Sequence, residues 1–512
     1  MSYILILIIL WLLIYKGYKF VTGKPPNTPP AIPRIPIWGS YWFLLWGNYK
    51  FPYKTFDYYA KKYKTKVLSC HLGDYFVIVA QDSSTCKELL NKKEFDGRIV
   101  DSDYFKARAF GKQLGIFFVD GSYWQEQRRF ALRHMRDFGF GRRQEKWEND
   151  VLHEVSKLIE IINTGAHNDE EKTVLRSGTY PTALFPDILF HITAGSIWAI
   201  ISGEKIDRDD HEQLRRISRA AMTLQRNADT LGGAILQTPW LRHFGNIFGY
   251  KKFIEGNKEI TDYIREYVDE RVLHGMAAHR EDDSFIDRYL RKIEDNRKRG
   301  STSSFSRDQL LILLTDFMFP SLSALPSSIA TCIKYMMHFP EVKKKVQDEI
   351  DSIVGPDRLP ILEDRKMLPY TEATIRELLR YETSTPLGVP HVATENTLFC
   401  GYSVPANTIM LTNLAAMHHE PELWGDPYRF RPERFLNANG ELYKDPSLPF
   451  SAGHRVCAGE TFSRFLFFLI FSALMQNYDP LFVPGEPSAL DDNHSGLIVT
   501  PKDAWIQLKP RA

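Results

Sequence analysis

Residues 450–460 read Phe450-Ser451-Ala452-Gly453-His454-Arg455-Val456-Cys457-Ala458-Gly459-Glu460. Phe450, Gly453, Arg455, Cys457 and Gly459 fit F-x-x-G-x-R-x-C-x-G, five fixed positions whose chance match in a single chain is rare. The residues behind them, TFSRFLFFLIFSALM (461–475), are apolar on nearly every side from Phe465. A helix without a polar face is normally buried in a large core. Cys457 therefore sits at the N-terminus of a buried helix, where the partial positive charge favours thiolate over thiol. Thiolate is the form that ligates iron and donates electron density to it.

The rest of the chain sets limits on that reading. It has 512 residues, 44% hydrophobic and 25% charged, which is ordinary globular composition. Lys+Arg is 65 against Asp+Glu 63, a net charge of +2 that gives no overall argument for nucleic acid. The five cysteines, Cys70, Cys86, Cys332, Cys400 and Cys457, are scattered and contain no C-x-x-C. A disulfide framework or zinc site is not expected. The four besides Cys457 read as buried small hydrophobes.

Tyr3 to Tyr15 is an unbroken apolar run, YILILIILWLLIY, followed by Lys16, Lys19 and Lys24. Extended to Val21, with both intervening lysines snorkelling, it is long enough for a membrane anchor. No basic side chain precedes it and no small-x-small site follows, which favours an uncleaved anchor over a signal peptide. Positive charge after the run places the remaining chain on the cytosolic side. Residues 24–39, KPPNTPPAIPRIPIWG, hold six prolines and read as a stiff spacer. The organisation expected is an anchor at 1–21, a proline-rich hinge at 22–40 and one catalytic body at 41–512.

Within that body most segments read as helix. Val342, Val346, Ile350, Ile353 and Val354 recur near helical period over Glu341–Val354, and Gly355-Pro356 stops the run. Pro369–Tyr381 is a second helix opened by proline. Val67–Leu72 and Phe76–Ala80 flank Gly73-Asp74 as a hairpin. Thr164–Lys172 and Asp295–Arg307 read as surface loops between helices. The expected fold is mainly α with a smaller β-rich subdomain.

With these elements in place, the chain resembles the cytochrome P450 family over nearly its whole length. The resemblance implies haem b (heme b) bound through the Cys457 thiolate, with Gly453 and Gly459 letting backbone approach the macrocycle and Arg455 facing a propionate. Glu377 and Arg380 match the family's E-x-x-R, at i and i+3 on one helix face. Together with Arg434 of Pro432-Glu433-Arg434-Phe435 they would form a buried charged cluster behind the haem. Trp124 and Arg128 match W-x-x-x-R, and His391 closes the segment Pro386–His391; all three would meet propionates. Arg129, Arg133, Arg136, Arg142 and Arg143 would lie where an acidic flavoprotein, NADPH–cytochrome P450 reductase, docks. The anchor and hinge are similar to those of microsomal animal members, insect ones especially, which implies an endoplasmic reticulum membrane protein with its body in the cytosol.

One motif departs from the family. Its long distal helix carries an acid followed by threonine, which help to deliver protons to bound dioxygen. Here the matching segment runs from Asp316 to Pro326, with Ser323 at the acid position, Ala324 at the alcohol position, and Pro320 and Pro326 flanking them. Each proline inside a helix costs about 3 kcal/mol and introduces a kink. Ser321 and Ser323 are the candidates for a substitute relay. Three functions follow: a monooxygenase on a lipophilic substrate such as a steroid, terpenoid, fatty acid or xenobiotic; an isomerase or dehydratase of a pre-oxidised substrate; or a haem-containing binding protein with little turnover. The first is the reading adopted. Replacing Cys457 by Ala removes the shifted thiolate band from the reduced carbon monoxide difference spectrum; survival of that band in the variant would place the ligand elsewhere.

Overall fold

The apolar run near the start forms the helix Ser2–Thr22, with Trp11, Leu13 and Ile14 exposed along it. In the computed structural model the described residues are 2–22, 26–36, 38–48, 50–73, 75–206, 211–227, 243, 249–273, 284–300 and 303–511. Met1, Lys24, Pro25, Ile37, Asp74, Ser301, Thr302 and Ala512, used in the sequence reading, lie outside them.

From Pro29 onward the proline-rich stretch is docked. Ser69 N donates to Pro30 O at 2.8 Å, Ile32 N donates to Ser69 O at 2.9 Å, and Ser69 Oγ reaches Pro29 O at 2.9 Å. Proline lacks a backbone donor, so this stretch can pair only as an edge, and it does. The strand it flanks, Val67–Leu72, opens a four-stranded sheet ordered Val67–Leu72, Tyr75–Ala80, Ile409–Thr412, His391–Val392. The hairpin register pairs Val67 with Ala80 and Leu72 with Tyr75. Ile409–Thr412 adds in parallel and His391 pairs antiparallel with Met410. A second four-stranded sheet orders Leu175–Arg176, Thr182–Phe185, Ala504–Pro510, Tyr478–Phe482.

The helices make the bulk of the body. Pro369–Glu382 starts on proline as expected; the helix read as Glu341–Val354 is Pro340–Ile353, opening one residue earlier, also on proline, and Gly355 follows it with φ +72°. The Cys457 loop leads into Glu460–Asn477, buried from Leu466 to Met475. That helix packs against a 32-residue helix, Arg307–His338, capped by Ser306 Oγ accepting from Gln309 N at 3.1 Å. The long helix also packs on Phe190–Ser202, His211–Asn227 and Tyr250–Leu273. It is long and apolar enough to cross a membrane, but 89% of its most apolar window is buried in the body, so it is the core helix.

Three expectations are corrected. Helix Phe285–Lys298 takes in Asp295–Lys298, so the polar loop before the long helix begins at Arg299. Cys70, Cys86 and Cys332 are buried, but Cys400 is exposed, in a tight turn with φ +49°. The long helix runs unbroken through Pro320 and Pro326. Two prolines forfeit about 6 kcal/mol at about 3 kcal/mol each. Burying a leucine is worth about 1.5–3 kcal/mol, and Leu310, Leu311, Leu313, Leu314 and Leu322 alone exceed that loss.

The first half of the long helix is stapled to the segment before Gly121. Asp316 pairs with Arg108, both buried, and its Oδ2 accepts from Ile116 N at 2.7 Å and Phe117 N at 3.2 Å. Gln309 Oε1 accepts from Gly115 N at 2.7 Å and Tyr123 OH at 2.6 Å. Gly115 has φ +90°, and a Cβ there would lie 2.3 Å from Asp316 Oδ2, so the staple requires glycine. Asp316→Asn keeps the acceptor but leaves Arg108 buried without a counter-charge. The expected cost is about 3–5 kcal/mol in denaturant unfolding, partly recovered by adding Arg108→Met; full additivity of the two changes would show that the pair does not couple.

Candidate functional site

The cysteine loop is held by its own backbone. Cys457 N donates to Phe450 O at 3.0 Å, Val456 N to Gly453 O at 3.2 Å, and Ser463 N to Gly459 O at 2.8 Å. The Phe450 ring lies under Arg464 at 4.8 Å. Gly453 has φ +71°, and a Cβ on it would sit 1.8 Å from Leu90 O. Glycine at 453 is thus demanded by the end of helix Ser83–Asn91, where the sequence reading assigned it to the cofactor. Protein contacts do not demand glycine at 459, whose Cβ would meet Phe140 Cζ at 3.5 Å and Ser463 Oγ at 3.9 Å, ordinary van der Waals distances.

Cys457 is accessible although its neighbour Arg455 is buried. Protein nevertheless encloses it so far that burial pushes its thiol up, against a backbone hydrogen bond from Gly459 and the charge of Arg128, which pull it down. Burial outweighs the helix end on which the sequence reading relied. Ionisation therefore belongs with metal binding, since a coordinating thiol is deprotonated outright.

Beside the cysteine lies a buried cluster of cations. Arg128 bonds Val456 O, fixing the residue before the cysteine. Arg455 stacks on Trp124 at 3.5 Å and donates to Asp96 O at 2.7 and 2.9 Å and to Val119 O at 3.0 Å. Burial and the nearby Arg98 push Arg455 down to about 8, and burial holds Arg98 at about 10 against Asp96 and Asp120. His391 donates Nδ1–H to Phe95 O at 2.7 Å, and burial with Arg98 and Arg455 holds it well below the usual histidine range. Trp124 Nε1 is buried without a partner. Crowded cations and an orphaned donor beside an accessible thiol suit a ligand with both a soft-metal centre and carboxylates, which fits haem. Arg98 escaped the sequence reading, because its place here is set by the bridge of Gly97 to Val392 across the chain. That bridge needs glycine: a Cβ on Gly97 would lie 2.6 Å from Val392 O.

The charged cluster assembles as expected. Glu377 Oε2 accepts from Arg380 Nε at 2.7 Å, and Glu377 Oε1 from Arg380 Nη2 at 2.9 Å, Arg434 Nε at 3.0 Å and Arg431 N at 2.8 Å. Sequence reading missed His418, which ties this cluster to the cysteine loop. Arg380 Nη1 donates to His418 O at 2.6 Å, and Leu448 N donates to His418 Nε2 at 2.9 Å, two residues before Phe450. Thr383 Oγ1 gives its proton to Arg380 O at 2.7 Å and accepts from His418 Nδ1 at 2.7 Å. Burial, Arg380 and His419 push His418 down to about 3, so it is neutral.

On the long helix, Ser321 and Ser323 point away from the relay proposed for them. Both are buried, and their hydroxyls donate to Phe317 O at 3.4 Å and Phe319 O at 2.8 Å. The partly accessible positions of this stretch are Pro320, Ala324 and Ser328, four residues apart and so on one stripe. On the helix Gly121–Met135, Trp124 and Arg128 face inward while Arg129 and Arg133 are exposed, as is Arg136 just beyond. Arg142 is exposed too, but Arg143 is committed to Glu148 at 2.6 Å and Glu363 at 3.4 Å.

The family model described as Cytochrome P450 matches residues 29–508. Farnesoate epoxidase of Bombyx mori is 29% identical over 94% of each chain. Cytochrome P450 2B9 of Mus musculus is 30% identical over 99% of this chain and 96% of its own. Probable cytochrome P450 305a1 of Drosophila melanogaster is 28% identical over 95% of both.

His418 gives the acid limb of stability a sign. Its folded pKa of about 3 lies below the unfolded value of 6.5. The unfolded chain takes up a proton below about 6.5 that the folded chain refuses, so its stabilisation is full above that pH and declines as pH falls towards about 3. His418→Asn is expected to flatten this slope by one proton, about 1.36 kcal/mol per pH unit. Unfolding curves at several pH values measure it; an unchanged slope would mean that His418 is already charged in the fold.

Proposed function

The chain belongs to the cytochrome P450 family, and from that footing we propose that it is a monooxygenase which inserts one oxygen atom of O2 into a lipophilic small molecule, with electrons from NADPH through a flavoprotein reductase. The observation that carries this reading is the accessible Cys457 at the head of the buried helix Glu460–Asn477, flanked by buried arginines and the unpartnered Trp124 Nε1. Haem, when bound, supplies the chemistry of dioxygen reduction and oxygen transfer.

The protein's own residues hold and tune that group. Cys457 would supply the thiolate that holds the iron, its backbone N–H fixed on Phe450 O. Trp124, Arg128 and Arg455, with Arg98 and His391 behind them, form the cationic edge for the propionates. Glu377, Arg380 and Arg434 hold the loop from behind. The same helix that presents Arg128 to the cysteine loop exposes Arg129 and Arg133 on its other side, with Arg136 following. An acidic reductase docking there would stand one helix thickness from the thiolate, and opposite charge would steer it.

A relative named for epoxidising farnesoate supports a lipophilic substrate. The exposed apolar helix Ser2–Thr22, with Lys16 and Lys19 in its second half, supports an endoplasmic reticulum anchor with the body on the cytosolic side.

Full-length protein reconstituted with reductase in vesicles is expected to consume NADPH in step with hydroxylated or epoxidised product from a lipophile panel. Rearrangement of an organic peroxide without NADPH would replace this reading by an isomerase, and tight ligand binding without turnover by a carrier. Arg133→Glu with Arg136→Glu is expected to lower the reductase-driven rate about 10-fold or more at low salt and to weaken its salt dependence; an unchanged rate would move the docking face elsewhere.

A further inference from the structure

The family's acid and alcohol are absent at Ser323 and Ala324, yet a hydroxyl stands one turn further along the same helix, with a carboxyl from helix Pro369–Glu382 beside it. Ser328 is the hydroxyl on the accessible stripe Pro320–Ala324–Ser328. It lies one turn, about 6 Å of rise, beyond Ala324, and its Oγ donates to Ala324 O at 2.9 Å. Ser328 also lines a small cavity of ≈ 10 Å³, on the order of one water, whose other polar side chains are Thr331, Glu382 and Ser384. Glu382 ends helix Pro369–Glu382, is partly accessible, and accepts a hydrogen bond from Tyr335 OH, a further turn down the long helix from Thr331.

We propose that Ser328 and Glu382 form the proton relay of this enzyme, in the role that Ser323 and Ala324 cannot fill. The inference rests on the monooxygenase reading. Turnover then converts substrate RH and O2, with two electrons from NADPH and two protons, into ROH and water. For each proton, Glu382 releases it to water in the cavity and that water passes one to Ser328 Oγ. The hydroxyl proton of Ser328 leaves along the open stripe, and the Glu382 carboxylate is re-protonated from solvent.

The surroundings of Glu382 agree. Burial raises it above the ordinary carboxyl range, so it keeps a proton to higher pH, while Tyr335, Lys334 and Lys54 limit the rise. Tyr53 and Tyr381 also face it, and its charge raises both. Lys334 is itself turned aside, donating to Ala489 O at 2.5 Å. Ser328 acts on the open stripe; Glu382 acts through Ser328 and is a positioning and proton-holding residue.

The test uses the haem-loaded full chain with reductase, NADPH and the best substrate of the panel. Glu382→Gln retains an acceptor for Tyr335, and Ser328→Ala retains the helix. Both are expected to keep the carbon monoxide difference spectrum but to lose about 10²-fold in coupled turnover, the lower range for general acid–base help. Electrons should appear instead as hydrogen peroxide, with a larger solvent deuterium isotope effect. Ala324→Thr in the Ser328→Ala chain should recover coupling, which a merely structural role for Ser328 would not allow. Independently of turnover, the infrared spectrum of the resting protein should show a protonated carboxyl band that shifts in D2O and is missing in Glu382→Gln. Unchanged coupling and isotope effect in both variants, or no such band, would overturn the relay while leaving the monooxygenase reading in place. A wild-type enzyme that never couples NADPH to product would overturn both.

Discussion

The buried carboxylate of Glu377 organises the side of the molecule behind the cysteine. It accepts four hydrogen bonds, from both ends of the Arg380 fork, from Arg434 and from the backbone of Arg431. Three ions in a desolvated place are costly, and such a set is weak evidence for added stability. Its effect is geometric. Arg434 spends its other nitrogens on Trp424 O, Asp426 O and Arg429 O, so one carboxylate folds the irregular stretch 424–434 against helix Pro369–Glu382. Arg380 passes the constraint on through His418 O, and His418 Nε2 anchors Leu448. The cysteine loop begins two residues later and inherits its position from that chain of contacts.

This explains which parts of the site could be read in the sequence. Glu377 and Arg380 were legible because their side chains pair at a fixed local spacing on one helix, and Cys457 and Arg434 because each sits in a short motif that the family resemblance picks out. His418 and Arg98 were not. Their partners are mostly backbone carbonyls and amides from distant segments, and a backbone group carries no residue identity. Gly453 was legible as a glycine position, but not its close approach to Leu90, more than 300 residues away in the chain. The hairpin and the proline-opened helices were legible from period and punctuation alone. The ends of helices in polar sequence were not, as Asp295–Lys298 shows.

The electrostatics of the site run against its own stability. Arg98, Arg128 and Arg455 are all held below the ordinary guanidinium range, burial being the first cause in each. A fold selected for stability alone would place apolar groups there. Cations kept in a desolvated cluster, with a tryptophan donor left unpaired among them, make sense as preorganisation for an anionic edge that completes their solvation. The same logic applies to Cys457, whose burial opposes the charge that metal binding requires.

The long helix divides its work at the prolines. Before Pro320 it is a fastener, with Gln309 and Asp316 gripping residues 115–117 through backbone groups that leave little freedom. After Pro320, Ser321 and Ser323 are buried while Ser328 stands on the accessible stripe, and Ser321, Ser323, Ser328 and Thr331 each donate to the carbonyl four residues back. Such back-bonding supplies side-chain donors along a stretch where Pro320 and Pro326 have withdrawn backbone N–H groups. Packing on four neighbouring helices keeps the segment helical at that cost. The result is a rigid helix that shows one narrow stripe to the interior. The hydroxyl that the stripe lacks at Ala324 it carries one turn later, at Ser328, bonded back to Ala324 O at 2.9 Å.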